Sequence, residues 1–277
     1  MADIPDLSGT PLGRITAYPE RYDPGLLHPI ARALGRSALD WRGVPAMRGV
    51  DLWVAYELSW LSESGVPRVA IAEIAVPCSS PCLIESKSLK LYLNSLNQTV
   101  FASAEALRVC LEQDLSACCG SAVAVRLHGL RDYVAQPPVL PPGICLDDLD
   151  LDDLPREPSP ALLRALPGAA VAEVLYSDLL KTNCPVTGQP DWATLIVDYR
   201  GPPIDRAGLL GYIVSLRHHQ DFHEHCVEQV FCALWQRLRP ERLGVAARYT
   251  RRGGIEINPW RSSEVDAAMP CGRLARQ

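Results

Sequence analysis

The chain repeats a pattern of apolar residues at a spacing of 120 positions, with no gap between the two copies. The paired positions are Leu89/Leu209, Tyr92/Tyr212, Leu93/Ile213, Ser95/Ser215, Leu96/Leu216, Leu107/Val227, Cys110/Val230, Leu111/Phe231, Leu115/Trp235, Val123/Leu243 and Val125/Val245. A repeat of this length predicts two structurally similar modules that have diverged in sequence. The 277 residues also suffice for two domains of ordinary size.

Each module is predicted to follow the order strand, strand, helix, strand. The predicted strands of the first module are 51–60, 66–77 and 122–127. The segment 89–96 is predicted as a strand running into a helix or turn. A helix is predicted to begin after its cap, Ser103, and to end at Gly120. In the second module the predicted strands are 193–199, 209–216 and 243–250, and the predicted helix is 222–238. Strands joined by short loops usually pair antiparallel. The predicted fold class is therefore α+β, with antiparallel sheets and helices on one sheet face.

Proline and glycine content sets the predicted boundaries. Residues 1–45 are Pro- and Gly-rich and are interpreted as an N-terminal extension, followed by the first module at 46–135. Residues 136–165 are rich in Pro and Asp, which is typical of a linker, and the second module covers 166–277.

Composition narrows the function classes. The net charge is −5, which gives no strongly basic surface for nucleic acid, and no apolar run reaches the ~18 residues of a membrane span. Ten cysteines lie scattered through apolar segments and no secretory signal opens the chain, so we expect free thiols in a reducing cytoplasm. No metal site is predicted, because Cys78 and Cys82 lack a second ligand pair and His223 and His225 point apart on a helix.

One stretch, residues 176–192, combines a thiol and an acid, Cys184 and Asp191. Its helix and strand breakers are Pro185, Gly188 and Pro190. They predict a shaped loop across the stretch. A thiol and a carboxylic acid in one loop indicate a nucleophile with a proton donor. The alternative is a buried structural cysteine in a Pro-rich turn.

Three further stretches have both a structural and a functional interpretation. The charged run at 85–92 is either a solvated rim or a binding segment. Asp221 and Glu224 match a capping box, whereas His223 beside Glu224 offers a fixed donor and acceptor edge for a heterocycle. The run from Arg251 to Gly254 is either an ordinary basic hairpin turn or a phosphate contact. The chain has no Gly-rich Rossmann motif, no Walker A motif and no G-x-S-x-G motif.

Taken together, three segments resemble the NADPH-dependent nitrile reductases of queuosine biosynthesis, the QueF family. They are ESKSLKLY at 85–92, TNCPVTGQPDW at 182–192 and DFHEHC at 221–226, and the resemblance extends over about 51–263. It implies a two-module tunnelling fold (T-fold), and reduction of 7-cyano-7-deazaguanine to 7-aminomethyl-7-deazaguanine with two NADPH and no metal. It also implies a small deazapurine substrate, no direct nucleic-acid partner and a homodimer.

The resemblance further implies a role for each matching residue. Cys184 would be the nucleophile that forms a covalent thioimide, and Asp191 would be the proton donor. Residues implied to bind the substrate are Ile84, Glu85, Ser86, His223 and Glu224. Residues implied to bind NADPH are Ser86, Lys87, Arg252 and Gly253.

Two other functions stay open from the residues alone. A tunnelling-fold pterin enzyme such as a cyclohydrolase would also need a base-binding Glu, but its ring-opening chemistry uses a metal. A purine-binding module without catalysis would keep Glu224 and would have no use for Cys184 and Asp191.

Overall fold

The computed structural model of the protein describes residues 19–134, 137–151, 154–265, 267 and 269–277. Residues 1–18 of the predicted extension, and 136, 152 and 153 of the predicted linker, lie outside the described part. The chain divides into two compact units, which comprise Met1–Ala38, Asp51–Pro137 and Arg251–Ile257 in the first and Leu39–Val50, Pro138–Thr250 and Asn258–Gln277 in the second. The module boundaries drawn from the sequence remain predictions, since compact units and repeated modules need not coincide.

The first unit contains three neighbouring strands of a sheet and two long helices. Its strands are β1 (Pro29–Ala31), β2 (Arg48–Leu61, of which residues 48–50 belong to the second unit), β3 (Pro67–Pro77), β4 (Cys82–Ile84) and β5 (Ala124–His128). Its helices are α1 (Arg32–Arg36), α2 (Ser86–Ser95), α3 (Ala104–Cys119) and α4 (Leu130–Val134). Strands β5, β3 and β2 lie side by side in that order, and β1 pairs antiparallel with β4.

The long helices of the first unit cover one sheet face. Leu89 of α2 and Leu107 of α3 are fully buried against Trp53 of β2. On the opposite face, Tyr133 of the short helix α4 packs with Tyr56 of β2. The predicted one-sided arrangement therefore holds for α2 and α3, while α4 lies on the other face.

The second unit repeats this plan. Its strands are β6 (Ile144–Cys145), β7 (Val171–Asn183), β8 (Pro190–Gly201), β9 (Arg242–Tyr249) and β10 (Ile255–Ser262, of which residues 255–257 belong to the first unit). Its helices are α5 (Arg206–Ser215) and α6 (His223–Leu238). The strand order is β10-β9-β8-β7-β6, with antiparallel pairing except between β6 and β7.

Alternation along β8 assigns the two faces of this sheet. Leu195 and Val197 are buried in the core formed with α5 and α6, whereas Ile196 belongs to a smaller cluster on the opposite face. The predicted linker is partly ordered, because Leu146 and Leu163 are buried in the helix-side core.

The duplication is visible in the helices. Helices α2 and α5 lie 120 residues apart in the chain at both ends, so the register read from the sequence is confirmed. The predicted strands at 51–60, 66–77, 193–199 and 243–250 and the predicted helix at 222–238 are also confirmed. So is the helix that Ser103 caps and Gly120 ends at φ 72°.

The strand predicted at 209–216 is wrong, and so is the strand part of the prediction for 89–96, because these segments lie mostly within the helices α5 and α2. Apolar residues in both segments also recur at intervals of three and four, the helical period. Glu85 caps α2 and Asp205 caps α5, through carboxylate oxygens that accept backbone N–H groups. The module order is therefore strand, strand, helix, helix, strand. No helix in the described part of the chain is long and apolar enough to cross a membrane.

Candidate active site

Cys184 opens the hairpin turn between β7 and β8. Its N–H donates to the carbonyl of Gln189 at 2.8 Å, and its carbonyl accepts from Gly188 N–H at 3.0 Å. Gly188 has φ 67°, which favours glycine. The prediction of a loop across 176–192 is wrong in extent, because only 184–189 separates the two strands. Pro190 is the first residue of β8, a position where a missing N–H is tolerated.

Strand alternation places Cys184 on the same sheet face as Asp191. Thr182 pairs with Asp191 and Asn183 pairs with Pro190, and the bond from Cys184 to Gln189 continues this register. Extending the alternation one residue past the end of β7 predicts that Cys184 lies on the face of Thr182 and Asp191. Cys184 is half-buried and Asp191 is 3% exposed. The hairpin thus presents the thiol and the buried acid on one side.

The segment before α6 is bonded to this hairpin. Asn183 N–H donates to the carbonyl of His219 at 2.8 Å, and Asp221 N–H donates to the carbonyl of Asn183 at 3.2 Å. These bonds fix the first turn of α6 beside the end of β7. Lys181 adds a bond from its Nζ to the carbonyl of Arg217 at 2.8 Å.

Asp191 contacts His223, the first residue of α6. The distance from His223 Nε2 to Asp191 Oδ2 is 3.2 Å, which allows one proton to lie between them. The imidazole stacks on the ring of Tyr249 of β9, with 3.7 Å between centroids and 3° between planes. Burial raises the pKa of Tyr249 well above its ordinary value, so its phenol stays protonated. The second unit therefore holds a buried contact between a carboxylate and an imidazole, and the imidazole stacks on an aromatic ring.

Glu224 is the second residue of α6 and is 3% exposed. The predicted capping box is wrong, because the N-cap is Phe222 and it provides no capping side chain. Asp221 lies one residue before the cap and accepts instead from the N–H of Phe222 at 2.7 Å. The helix begins one residue later than Asp-x-x-Glu predicted, and the Asp221 carboxylate lies 3.3 Å from His225 Nδ1. Glu224 therefore does not have the capping role predicted for it.

Asp221 forms an acid–histidine cluster next to the site. Burial by itself raises the pKa of Asp221, but bonds from His219 and His225 outweigh it and lower the pKa to about 2. Burial by itself lowers the pKa of His225, but the Asp221 carboxylate outweighs it and the net pKa is raised. Burial raises the pKa of the neighbouring Cys226 thiol to about 12, so Cys226 stays a neutral thiol beside Tyr249.

In the first unit, the predicted substrate and cofactor residues share the junction of β4 and α2. Ile84 ends β4 and is 4% exposed, and Glu85 is 1% exposed. Both oxygens of Glu85 accept backbone N–H groups, from Lys87 and Ser88, at 2.7 Å each. The sequence did not predict this cap. Ser86 and Lys87 are half-buried in the first turn of α2, and the binding roles of all four residues remain predictions.

Arg252 and Gly253 lie in the turn between β9 and β10. The N–H of Arg252 donates to the carbonyl of Ile255 at 2.9 Å, and the reverse bond is 3.3 Å. Gly253 and Gly254 have φ 59° and 77°, which fits a two-residue type I′ hairpin turn. The turn interpretation is thus confirmed, while the phosphate contact stays a prediction. A cavity of about 280 Å³ beside this turn is also lined by Lys90.

Sequence reasoning missed Tyr249, because a tyrosine at the end of an alternating strand is typical of any sheet core. It found Cys184, Asp191, His223 and Glu224, and the second unit brings all four to one hairpin and one helix start. Within the described ranges, no group of three or more His, Cys, Asp or Glu side chains is arranged to hold a metal ion.

Comparison with known proteins gives two family matches. Residues 18–127 match the N-terminal model of the nitrile reductase 7-cyano-7-deazaguanine reductase, and residues 190–268 match the model of QueF-like proteins. An NADPH-dependent 7-cyano-7-deazaguanine reductase from Bordetella parapertussis is 52% identical over 271 residues, which cover 98% of this chain and 99% of the relative. The enzyme of the same name from Chromohalobacter salexigens is 52% identical to this chain over 98% of each sequence. The enzyme of the same name from an Azoarcus species is 54% identical over 93% of this chain and 92% of the relative. An apo archaeosine synthase of QueF-like type aligns with 36% of this chain and 99% of its own, at TM-score 0.31 and 16% identity.

Proposed function

Because the chain belongs to the family of NADPH-dependent 7-cyano-7-deazaguanine reductases, we propose that it reduces 7-cyano-7-deazaguanine to 7-aminomethyl-7-deazaguanine through a thioimide on Cys184. The observation that carries the proposal is the buried Asp191–His223 contact at 3.2 Å on the hairpin of Cys184. A thiol for covalent attack and an acid for proton transfer are the two groups that this reaction needs.

Cys184 begins the reaction by adding its sulfur to the nitrile carbon. One C–S bond forms, and the triple bond to nitrogen becomes a double bond. A free cysteine with an ordinary pKa near 8.5 is only about 3% ionised at pH 7. We therefore assign two proton transfers to Asp191, which takes the proton from the thiol and then donates it to the nitrile nitrogen. His223 holds the Asp191 carboxylate in place.

Reduction of the nitrile then takes four electrons, supplied as two hydrides. The first hydride from NADPH adds to the thioimide carbon, a proton adds to nitrogen, and loss of the Cys184 sulfur leaves an imine. The second hydride and a further proton give the amine, so the balance is one nitrile, two NADPH and two protons. Because the imine is readily hydrolysed, the pocket has to exclude water between the two hydride transfers.

Glu224 and His223 are proposed to bind the base. A carboxylate accepts two N–H donors from the 2-aminopyrimidinone edge, and Glu224 is buried at a helix start that fixes its position. A buried acceptor of this kind rejects analogues that leave it unpaired. Ile84, Glu85 and Ser86 are proposed as further substrate contacts on the basis of the resemblance.

NADPH is proposed to contact Ser86, Lys87, Arg252 and Gly253. Arg252 offers a bidentate guanidinium to the 2′-phosphate that distinguishes NADPH from NADH, and Gly253 leaves bare backbone at the turn. The T-fold, a place in queuosine biosynthesis, a homodimer and a cytoplasmic location belong to the same proposal and rest on the family resemblance.

The test is the stoichiometry of the wild-type protein. Purified, chelator-treated protein is mixed with NADPH and 7-cyano-7-deazaguanine, and NADPH absorbance and amine formation are followed together. We expect two NADPH oxidised per amine, and no oxidation with 7-deazaguanine, which lacks the nitrile. Absence of turnover with the nitrile, or one NADPH per product, would contradict the proposal.

A further inference from the structure

Tyr249, whose ring stacks on His223, is held on its β10 side by side-chain amides. The pairing of β9 with β10 runs from Gly244 opposite Ser262 to Ala246 opposite Trp260. Tyr249 lies three residues further along β9, and its N–H donates to Asn258 Oδ1 at 3.1 Å. An amide side chain thus takes the place of a strand partner and satisfies a buried backbone donor.

Gln277 completes this arrangement. Its Nε2 donates to Asn258 Oδ1 at 2.7 Å and to the carbonyl of Tyr249 at 3.4 Å. Its Oε1 accepts from the N–H of Leu274 at 2.9 Å. Asn258 is fully buried and Gln277 is 8% exposed, so these bonds lie away from water, where hydrogen bonds are stronger.

We propose that Gln277 is a positioning residue for the Asp191–His223 pair, acting through Asn258 and Tyr249; this inference rests on the proposed function. The bonds of Gln277 fix the backbone of Tyr249, and the ring of Tyr249 fixes the plane of His223. The imidazole plane in turn sets the direction of Nε2 toward Asp191. Reacting groups need to be held within about 0.5 Å, and a misplacement of about 1 Å can cost about 100-fold in rate.

The matched variants are Gln277→Glu and Ile196→Val. Gln277→Glu keeps the size and the Oε1 acceptor but replaces the Nε2 donor with an oxygen that faces Asn258 Oδ1. Ile196→Val removes one methylene from the cluster on the same sheet face that contains Leu274, and touches none of the amide bonds. If Gln277→Glu yields no folded protein, the test uses Gln277→Met, which lacks both polar atoms of the amide.

The first measurement is the pH profile of kcat with 7-cyano-7-deazaguanine. We expect Gln277→Glu to lower kcat about tenfold, to displace the pH profile because His223 holds the Asp191 carboxylate that transfers the proton, and to leave the KM for NADPH near the wild-type value. Ile196→Val is expected to keep both kcat and the profile. Equal losses in the two variants, or an unchanged profile in Gln277→Glu, would overturn the positioning role.

The second measurement does not depend on turnover. In histidine-labelled protein, the ring current of Tyr249 shifts the imidazole protons of His223 upfield, and Tyr249→Leu gives the reference without it. We expect the shift to shrink in Gln277→Glu and to persist in Ile196→Val. An inactive wild-type protein would refute the proposed function, whereas an active wild type with an unchanged His223 shift in Gln277→Glu would refute only the positioning role.

Discussion

The equivalent long helices of the two units begin with opposite chemistry. The N-cap of α3 is Ser103, whose Oγ accepts from the N–H of Ala106 at 3.0 Å. The N-cap of α6 is Phe222, which provides no capping side chain. The buried residues of α3 are Leu107, Leu111, Leu115 and Cys119, whereas those of α6 include His223, Glu224, His225 and Glu228. The first helix is built for stability, and the second accepts buried titratable groups in its first two turns.

In the second unit, one of these buried acids, Glu228, is paired with a buried arginine. Glu228 Oε1 lies 2.8 Å from Arg261 Nη2, and both side chains are fully buried. Arg261 also donates to the carbonyls of Val50 and Trp260. The comparison indicates that the two long helices of one duplicated framework have diverged, and that α6, which departs from ordinary helix rules, carries His223 and Glu224 of the proposed site.

The largest expected effect is on kcat, and it distinguishes the β7–β8 hairpin from the equivalent β2–β3 hairpin. Cys184→Ala removes the attacking sulfur, and we expect kcat to fall by about 10⁴-fold or more, with no covalent adduct in the intact mass. Ser64→Ala in the turn between β2 and β3 loses only an exposed contact to Ser62 and is expected to change kcat little. A covalent adduct that persists in Cys184→Ala would identify another nucleophile.

The next effect concerns ion pairs on the two long helices. Glu228→Gln leaves Arg261 buried beside a neutral amide, and we expect the free energy of unfolding to fall by about 3–5 kcal/mol. Glu105→Gln breaks an exposed pair with Arg108 on α3, and we expect almost no change in the free energy of unfolding, because solvent screens such pairs. Urea denaturation measures both values. Similar losses in the two variants would mean that burial does not set the difference.

The third effect is a pH dependence of the stability that Asp221 and His225 contribute at the start of α6. The raised pKa of His225 gives stability that is present below about 6.5 and is lost as the pH rises through the raised value. The lowered pKa of Asp221 gives stability that is present above about 3.9 and is lost as the pH falls toward about 2.

The pair therefore contributes most between about pH 4 and 6.5. We expect His225→Gln to cost about 1–3 kcal/mol in that window and progressively less at higher pH. Thermal unfolding of both proteins across pH 4–9 measures the difference. A cost that is constant over this range would exclude the charged pair as its source.

The smallest expected effect tests the helix cap that α6 lacks. Ser103→Ala removes the acceptor for Ala106 N–H, and we expect a loss of about 1 kcal/mol in the free energy of unfolding. Ser103→Asn keeps a capping oxygen and is expected to lose only a few tenths of a kcal/mol. Equal losses in the two variants would show that the hydroxyl does more than cap the helix.

The sequence by itself determined the duplication, the α+β class, the β2–β3 hairpin and the start and end of α3. These depend on local signals, namely periodicity, caps and glycine, which act within a few residues. The family also followed from three short segments, and the comparisons confirm it. The strand prediction for 209–216 is wrong because a short apolar run fits both the strand period and the helix period. Only packing against the sheet decides between a strand and a helix here.

The tertiary structure alone decided the contacts that the proposed chemistry depends on. The contact of Asp191 with His223, the stacking of Tyr249, the cap role of Glu85 and the amide bonds of Gln277 all join residues whose partners the sequence pattern does not specify. Each depends on strand register or on where a helix begins, and a shift of one residue would turn these side chains away from one another. The sequence therefore predicted the site residues, and the fold determined which of them meet.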